Sequence, residues 1–242
     1  MDAMKGLGML FAAILAGGRG SRMGSQDKPK QYLLLNEKPI IIYTVEKFIT
    51  FSEIEEVLVL CPENWIEPTK DILKSHFGND PRIKVLAGGV TRNDTIMNAI
   101  DYLDANYKLD NEAALITHDS VRPFVTYRII EDNIHAMEEY DMCDTVMPCT
   151  DTIVESIDGE IITNIPDRSH LYQGQTPQTF KIKKMQQVFN CLTEDEKSVL
   201  TDACKIFTTQ GEPVKLVKGE PFNIKITYPS DLKIAHALLG ME

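Results

Sequence analysis

The chain is expected to fold as an α/β protein with a mainly parallel, twisted sheet flanked by helices, and three observations carry that expectation. Short apolar runs recur along it, with the character of strands buried on both faces. Stretches with apolar residues at helical spacing separate them, which is the pattern of βαβ units. Three loops that follow such runs, at residues 17–30, 88–89 and 118–123, carry unusual chemistry. They fall together, at the carboxyl ends of the strands where open α/β sheets bind ligands.

Residues 9–16 form the first apolar run and end in a loop with Gly17, Gly18, Gly20 and Gly24. After Pro39, residues 41–51 place Ile42, Val45, Phe48 and Ile49 on one helical face. Residues 56–61 are a second strand stopped by Pro62, residues 66–77 a helix ended by Gly78, and residues 82–87 a third strand broken by Gly88 and Gly89. Thr91 and Asp94 resemble a capping box for a helix through Ile96, Ala99, Ile100 and Leu103. Residues 113–117 are a fourth strand, Thr126 caps a helix carrying Ile130, Ile134 and Met137, and residues 143–149 are a fifth strand.

The pattern then changes. Residues 151–155 and 160–165 read as two strands across a turn at Asp158-Gly159. Such a hairpin is marginal alone and leans either on a partner subunit or on the edge of the same sheet. Helices at residues 182–192 and within 193–207, strands at 214–219 and 222–227, and a helix at 229–239 complete the chain. No linker or repeat divides it, so residues 1–242 are expected to form a single domain with an arm at roughly 150–170.

At 242 residues and 43% hydrophobic, the chain can bury a sizeable core. Its net charge of −11 argues against nucleic acid or an anionic membrane as partner. The cations around the first loop, Arg19, Arg22, Lys28 and Lys30, therefore suit a small anionic ligand. Five scattered cysteines without a C-x-x-C pair read as reduced thiols of a cytoplasmic protein. The apolar run before Ala16 makes a better first strand than a signal peptide, and no run approaches the length of a membrane span.

Glycine lets backbone N–H groups approach phosphate oxygens, and Arg and Lys add charge-assisted hydrogen bonds, so the first loop reads as a nucleoside triphosphate loop. The spacing fails the P-loop pattern. It also misses the dinucleotide fingerprint, because glycine arrives one residue late, at Gly24.

Leu15-Ala-Gly-Gly-Arg-Gly-Ser-Arg-Met-Gly24 with Pro29-Lys-Gln-Tyr32 resembles the signature loop of sugar- and polyol-phosphate cytidylyltransferases. His118-Asp-Ser-Val-Arg-Pro-Phe124, Gln175-Thr-Pro-Gln-Thr-Phe180, Thr201-Asp-Ala203 and Asn223-Ile-Lys-Ile-Thr227 match in the same order. The resemblance implies a Rossmann-like nucleotidyltransferase fold. It implies Arg22, Lys30 and Lys225 as catalytic cations around the triphosphate. Ala16, Gly17, Gly18, Gly20, Gly89, Arg92 and Thr95 would bind CTP, and Asp119 would hold Mg²⁺. Asp119, Arg122, Thr152, Arg168 and Thr201 would serve the acceptor phosphate, with the arm reaching into a second subunit of a homodimer.

Two subfamilies compete, one acting on D-ribitol 5-phosphate and one on 2-C-methyl-D-erythritol 4-phosphate. The residue spacing between Arg22 and Lys30, Thr117-His-Asp-Ser-Val-Arg122, Tyr172-Gln-Gly-Gln175 and Thr201-Asp-Ala-Cys-Lys-Ile206 look more like the ribitol subfamily, whose product CDP-ribitol serves wall polymers. The reaction needs positioning and charge stabilisation more than a general base, in keeping with blocks rich in Lys and Arg. A non-catalytic nucleotide-binding module is the alternative of a different class.

Overall fold

The computed structural model describes residues 8–18, 28–198, 200 and 202–240. It contains a seven-stranded sheet built from β1 (Leu10–Leu15), β4 (Ile54–Cys61), β5 (Ile83–Ala87), β6 (Ala114–Asp119), β7 (Met142–Pro148), β8 (Tyr172–Lys181) and β9 (Lys215–Lys218). The spatial order is β5-β4-β1-β6-β8-β7-β9. Pairings among β5, β4, β1 and β6 are parallel, as is β7 with β9. β8 runs antiparallel to both of its neighbours.

A two-stranded hairpin, β2 (Leu34–Leu35) and β3 (Lys38–Pro39), turns through Asn36 and Glu37, both at positive φ. The helices are α1 (Ile40–Ile49), α2 (Ile66–Phe77), α3 (Arg92–Asn106), α4 (Tyr127–Ala136), α5 (Ile182–Asn190), α6 (Glu194–Ser198), α7 (Ala203–Thr209) and α8 (Pro229–Leu239).

Alternation along β1 divides the core. Leu10, Ala12 and Ile14 face one layer with Ile41, Val45 and Phe48 of α1, Leu73 of α2, and Ile129 and Ile130 of α4. Phe11 and Ala13 face the other, with Ile96, Ala99, Ile100 and Leu103 of α3, Met185 of α5, and Ile206 and Phe207 of α7. Side chains at successive strand positions point to opposite faces, so a central strand covered on both sides must be apolar throughout. Full burial of each large aliphatic side chain contributes roughly 1.5–3 kcal/mol. A third cluster, Leu35, Ile40, Val121, Ile226 and Ala235, docks α8 and the 222–227 segment onto the small hairpin.

The expected boundaries of α2 and the caps of α3 and α4 are observed. Thr91 accepts from the Asp94 N–H while the Asp94 carboxylate accepts from the Thr91 N–H, and Thr126 caps α4. Two expectations need correction. The arm is not a regular hairpin: it is pinned by one bridge, Glu155 with Asn164, and by a turn in which the Asp158 carboxylate accepts from the Glu160 and Ile161 N–H groups. Those donors hold the Asp158 carboxyl down at about 2. Residues 222–227 are not a strand either, because their backbone groups bond to loops and side chains: the Ile226 N–H donates to the Val121 carbonyl, and the Asn223 carbonyl accepts from Arg122.

Candidate active site

β1 stands at the point where the crossovers change direction, with β4 and β5 on one side and β6 on the other. Leu15 and Asp119, the last residues of β1 and β6, are register partners. The crevice above such a switch point is where open α/β sheets bind ligands. A cleft of about 370 Å³ opens there, with Gly17, Gly18, Lys30, Gly89, Arg92, Thr95, Asp119 and Lys225 in its wall.

Asp119 is buried and surrounded by cations. Arg92 Nη1, at the start of α3, donates to Oδ1 at 2.5 Å; Lys225 Nζ lies 2.8 Å from Oδ2, and Arg122 Nε 3.5 Å from the same oxygen. Burial alone would raise the Asp119 pKa. The charges of Arg92, Lys225 and Arg122 outweigh it and hold the carboxyl far below the usual range. Lys30, itself buried, donates from Nζ to the Ile226 carbonyl at 2.9 Å. That bond ties the segment after the glycine loop to the segment carrying Lys225, so cations from segments far apart in the sequence share one cleft. In the wall of the cleft three cationic side chains, Lys30, Arg92 and Lys225, accompany the carboxylate of Asp119, an excess of positive charge suited to a polyanion.

The glycine positions differ in what constrains them. A Cβ on Gly89 would lie 2.3 Å from Asp94 Cβ and 2.8 Å from the Thr95 nitrogen, so only glycine fits between the loop and α3. A Cβ on Gly17 would meet nothing, and one on Gly18 would come no closer than 3.9 Å, to Lys30 Cε. These two leave open space beside the cleft.

The Thr95 hydroxyl accepts from the Gly89 N–H and donates to the Thr91 carbonyl, both at 2.9 Å, so its first task is to hold the loop. Ala16, expected at the nucleotide, is committed to the framework. Its N–H donates to the Leu60 carbonyl at 2.7 Å, and its carbonyl accepts from Gln31 Nε2. Arg122 packs behind Asp119 and donates to the Asn223 carbonyl at 2.7 Å. Thr152 and Arg168 lie on the exposed arm and do not line this cleft; Arg168 donates to the Thr150 carbonyl. Arg22, Gly20 and Thr201 lie outside the described residues.

Sequence reasoning gave no role to several residues that hold the site. The Asp119 N–H donates to Thr176 Oγ1 at 3.2 Å, and that hydroxyl lies 3.0 Å from His118 Nδ1; His118 Nε2 lies 3.1 Å from the Arg122 carbonyl. The Arg122 carbonyl can only accept, which puts the proton of the neutral imidazole on Nε2 and leaves Nδ1 to accept from the Thr176 hydroxyl. Burial pushes the His118 pKa down to about 3, so the ring is neutral and serves as a strut between Thr176 and the Arg122 loop. The Thr176 and Gln178 positions belong to a motif already visible in the sequence, but nothing there indicates which atoms they bind.

Among the described residues, no three His, Cys, Asp or Glu side chains cluster as a metal site, and no helix is long and apolar enough to cross a membrane. Asp119 offers a single carboxylate whose oxygens already meet Arg92, Lys225 and Arg122. A divalent cation held here would take most of its ligands from substrate phosphates and water, as Mg²⁺ commonly does, and would displace Arg92 or Lys225 from an Asp119 oxygen.

A switch-point crevice with lysines and an arginine beside glycines suits a nucleotide polyphosphate, and the fold around it is that of a nucleotidyltransferase. The chain belongs to the 2-C-methyl-D-erythritol 4-phosphate cytidylyltransferase (IspD) family, which matches residues 10–241. It is similar in structure to 4-diphosphocytidyl-2C-methyl-D-erythritol synthase from Anaerococcus prevotii, at 26% identity over 96% of each chain with a TM-score of 0.79. It is likewise similar to 2-C-methyl-D-erythritol 4-phosphate cytidylyltransferase from Francisella tularensis, at 25% identity over 95% of this chain and 99% of that one, TM-score 0.78. The Thermus thermophilus enzyme of the same name shares the fold at 24% identity over 95% and 98%, TM-score 0.71.

Proposed function

We propose that the protein transfers a cytidylyl group from CTP to a polyol phosphate. An acceptor phosphate oxygen attacks the α-phosphorus in line, the bond from that phosphorus to the bridging oxygen breaks, and pyrophosphate leaves with the electron pair. The acceptor phosphate is itself the anionic nucleophile near neutral pH, so the protein's task is to overcome repulsion between two anions. The observation that carries this reading is the meeting of Lys30, Arg92 and Lys225 in one cleft at the switch point. Lys225 and Arg92 pass from Asp119 toward phosphate oxygens as substrate enters, while Lys30 and Arg22 hold the triphosphate. Gly17, Gly18 and Gly89 leave room for nucleotide close to the backbone. Asp119, with phosphate oxygens, would hold Mg²⁺, which supplies further neutralisation of the triphosphate when bound.

The favoured acceptor is 2-C-methyl-D-erythritol 4-phosphate, supported by the family match over residues 10–241 and by the named neighbours. That preference reverses the sequence expectation. The D-ribitol 5-phosphate reading keeps one specific support, the residue pattern at 117–122, 172–175 and 201–206. Thr152, Arg168 and Thr201 are assigned to the acceptor, with the arm of one subunit serving the cleft of another. The arm's exposed Val154, Ile157, Ile161, Ile162 and Ile165 support that pairing, since an apolar stripe of this kind is unusual on a solvated loop. Pyrophosphate release from CTP and Mg²⁺, with the two acceptors offered in parallel, tests the reading. Turnover with one acceptor identifies the substrate, and no turnover with either contradicts the proposal.

A further inference from the structure

Behind Arg92 lies a network that the proposed reaction does not use directly. Gln178, in the buried half of β8, pairs across the sheet with Thr117 of β6 and Asp144 of β7. Its backbone is fixed by Thr117 Oγ1, which donates to the Gln178 carbonyl at 3.0 Å. The side-chain nitrogen donates to Asp144 Oδ1 at 3.0 Å and to the Asp202 carboxylate at 2.9 and 3.0 Å. Its oxygen accepts from Arg92 Nη2 at 3.4 Å.

The direction of a carboxamide is ordinarily ambiguous, because either end can bond either way. Here it is decided. Carboxylates only accept and a guanidinium only donates, so reversing the amide would set its oxygen against two carboxylates and its nitrogen against a cation. Asp202 is itself held as the N-cap of α7, accepting from the Cys204 N–H at 2.8 Å. Arg92 is thereby gripped at two points, Nη1 by Asp119 and Nη2 by Gln178, and its buried Nε has no hydrogen-bond partner among the described residues.

We propose that Gln178 is a positioning residue for nucleotide binding: clamped by Asp144 and Asp202, its carboxamide sets the direction in which Arg92 presents its guanidinium to the cleft. This inference rests on the proposed cytidylyl transfer. Gln178 touches no substrate and acts through Arg92, so its loss weakens CTP binding more than it slows the chemical step.

A double-mutant cycle on the full chain with Arg92→Ala, Gln178→Met and the double variant tests it, read by steady-state kinetics and by CTP titration calorimetry. Gln178→Met is expected to raise the KM and Kd for CTP about tenfold with kcat within about threefold, and the double variant to match Arg92→Ala within about twofold. Gln178→Asn, too short to span both sides, is expected to behave like Gln178→Met and replaces it if the methionine variant melts early. Penalties that multiply in the double variant, or CTP parameters unchanged in folded Gln178 variants, would overturn the proposal. Wild-type protein that binds CTP but releases no pyrophosphate with either acceptor contradicts the functional reading, while the calorimetric cycle still reads the Gln178–Arg92 coupling.

Discussion

Single residues in this site separate into those that shape the protein and those that leave room for a ligand. Gly89 belongs to the first kind and Gly18 to the second. Gly89→Ala is expected to lower Tm and CTP affinity together, because the new methyl group forces the loop away from α3. Gly18→Ala is expected to keep Tm while weakening CTP binding about tenfold or more, since displacement by as little as about 1 Å is costly in such sites. Equal behaviour of the two variants in thermal melts and CTP titrations would contradict this division.

Asp144 shows a different residue-scale cost. Burial raises its pKa to about 6, the Gln178 hydrogen bond opposes the rise, and the nearby Asp202 charge adds to it. A carboxyl whose folded pKa is raised stabilises the fold at acid pH, where it is neutral, and that contribution is lost as pH rises through about 6. At pH 7.5 the retained charge costs on the order of 2 kcal/mol. Asp144→Asn keeps an oxygen for Gln178, so it is expected to raise Tm at pH 7.5 and to matter much less near pH 4. A lower Tm at pH 7.5 would contradict the assignment.

At the scale of elements, legibility followed the source of burial. Strands β1, β4 and β6 were readable because apolar runs covered on both faces have few alternatives, while β5, half-buried at the sheet edge, and β7, which carries Asp144 and Thr145, were readable from the alternation of strands with helices. β8 was not, although residues 176–180 are buried. Thr176, Gln178 and Thr179 are satisfied by side-chain bonds to His118, Asp144 and Asn133, and no hydropathy pattern signals that. The 222–227 segment failed in the opposite way, since alternation suggested a strand where the chain instead crosses loops to deliver Lys225.

In the arm the turn at Asp158-Gly159 was legible, but the arm's reduction to a single bridge was not. If its exposed isoleucines meet a second subunit, Ile157→Ser with Ile161→Ser is expected to shift the protein from dimer to monomer in light scattering. The acceptor KM should then rise sharply while the CTP KM changes little. A monomeric variant with unaltered acceptor KM would contradict action between subunits.

For the whole molecule, the organising feature is that two segments far apart in the sequence, one early and one late, meet at the cleft. The first crossover brings Lys30 to the cleft, and the segment before α8 returns 196 residues later, tied by Lys30 Nζ to the Ile226 carbonyl. Sequence could suggest that Lys30 and Lys225 act together only through resemblance. Their joint placement over the carboxyl ends of β1 and β6 is a property of the topology. Against a net charge of −11, this local excess of cations needs a polyanion to explain it.

The most direct test is pyrophosphate release at saturating CTP and acceptor by wild-type protein, Lys30→Ala and Lys225→Ala. Each substitution is expected to lower kcat at least about a hundredfold, as loss of a charge-stabilising donor commonly does, with circular dichroism unchanged. Folded variants of either lysine that turn over at near wild-type rate would contradict the claim that the two segments build one catalytic cage.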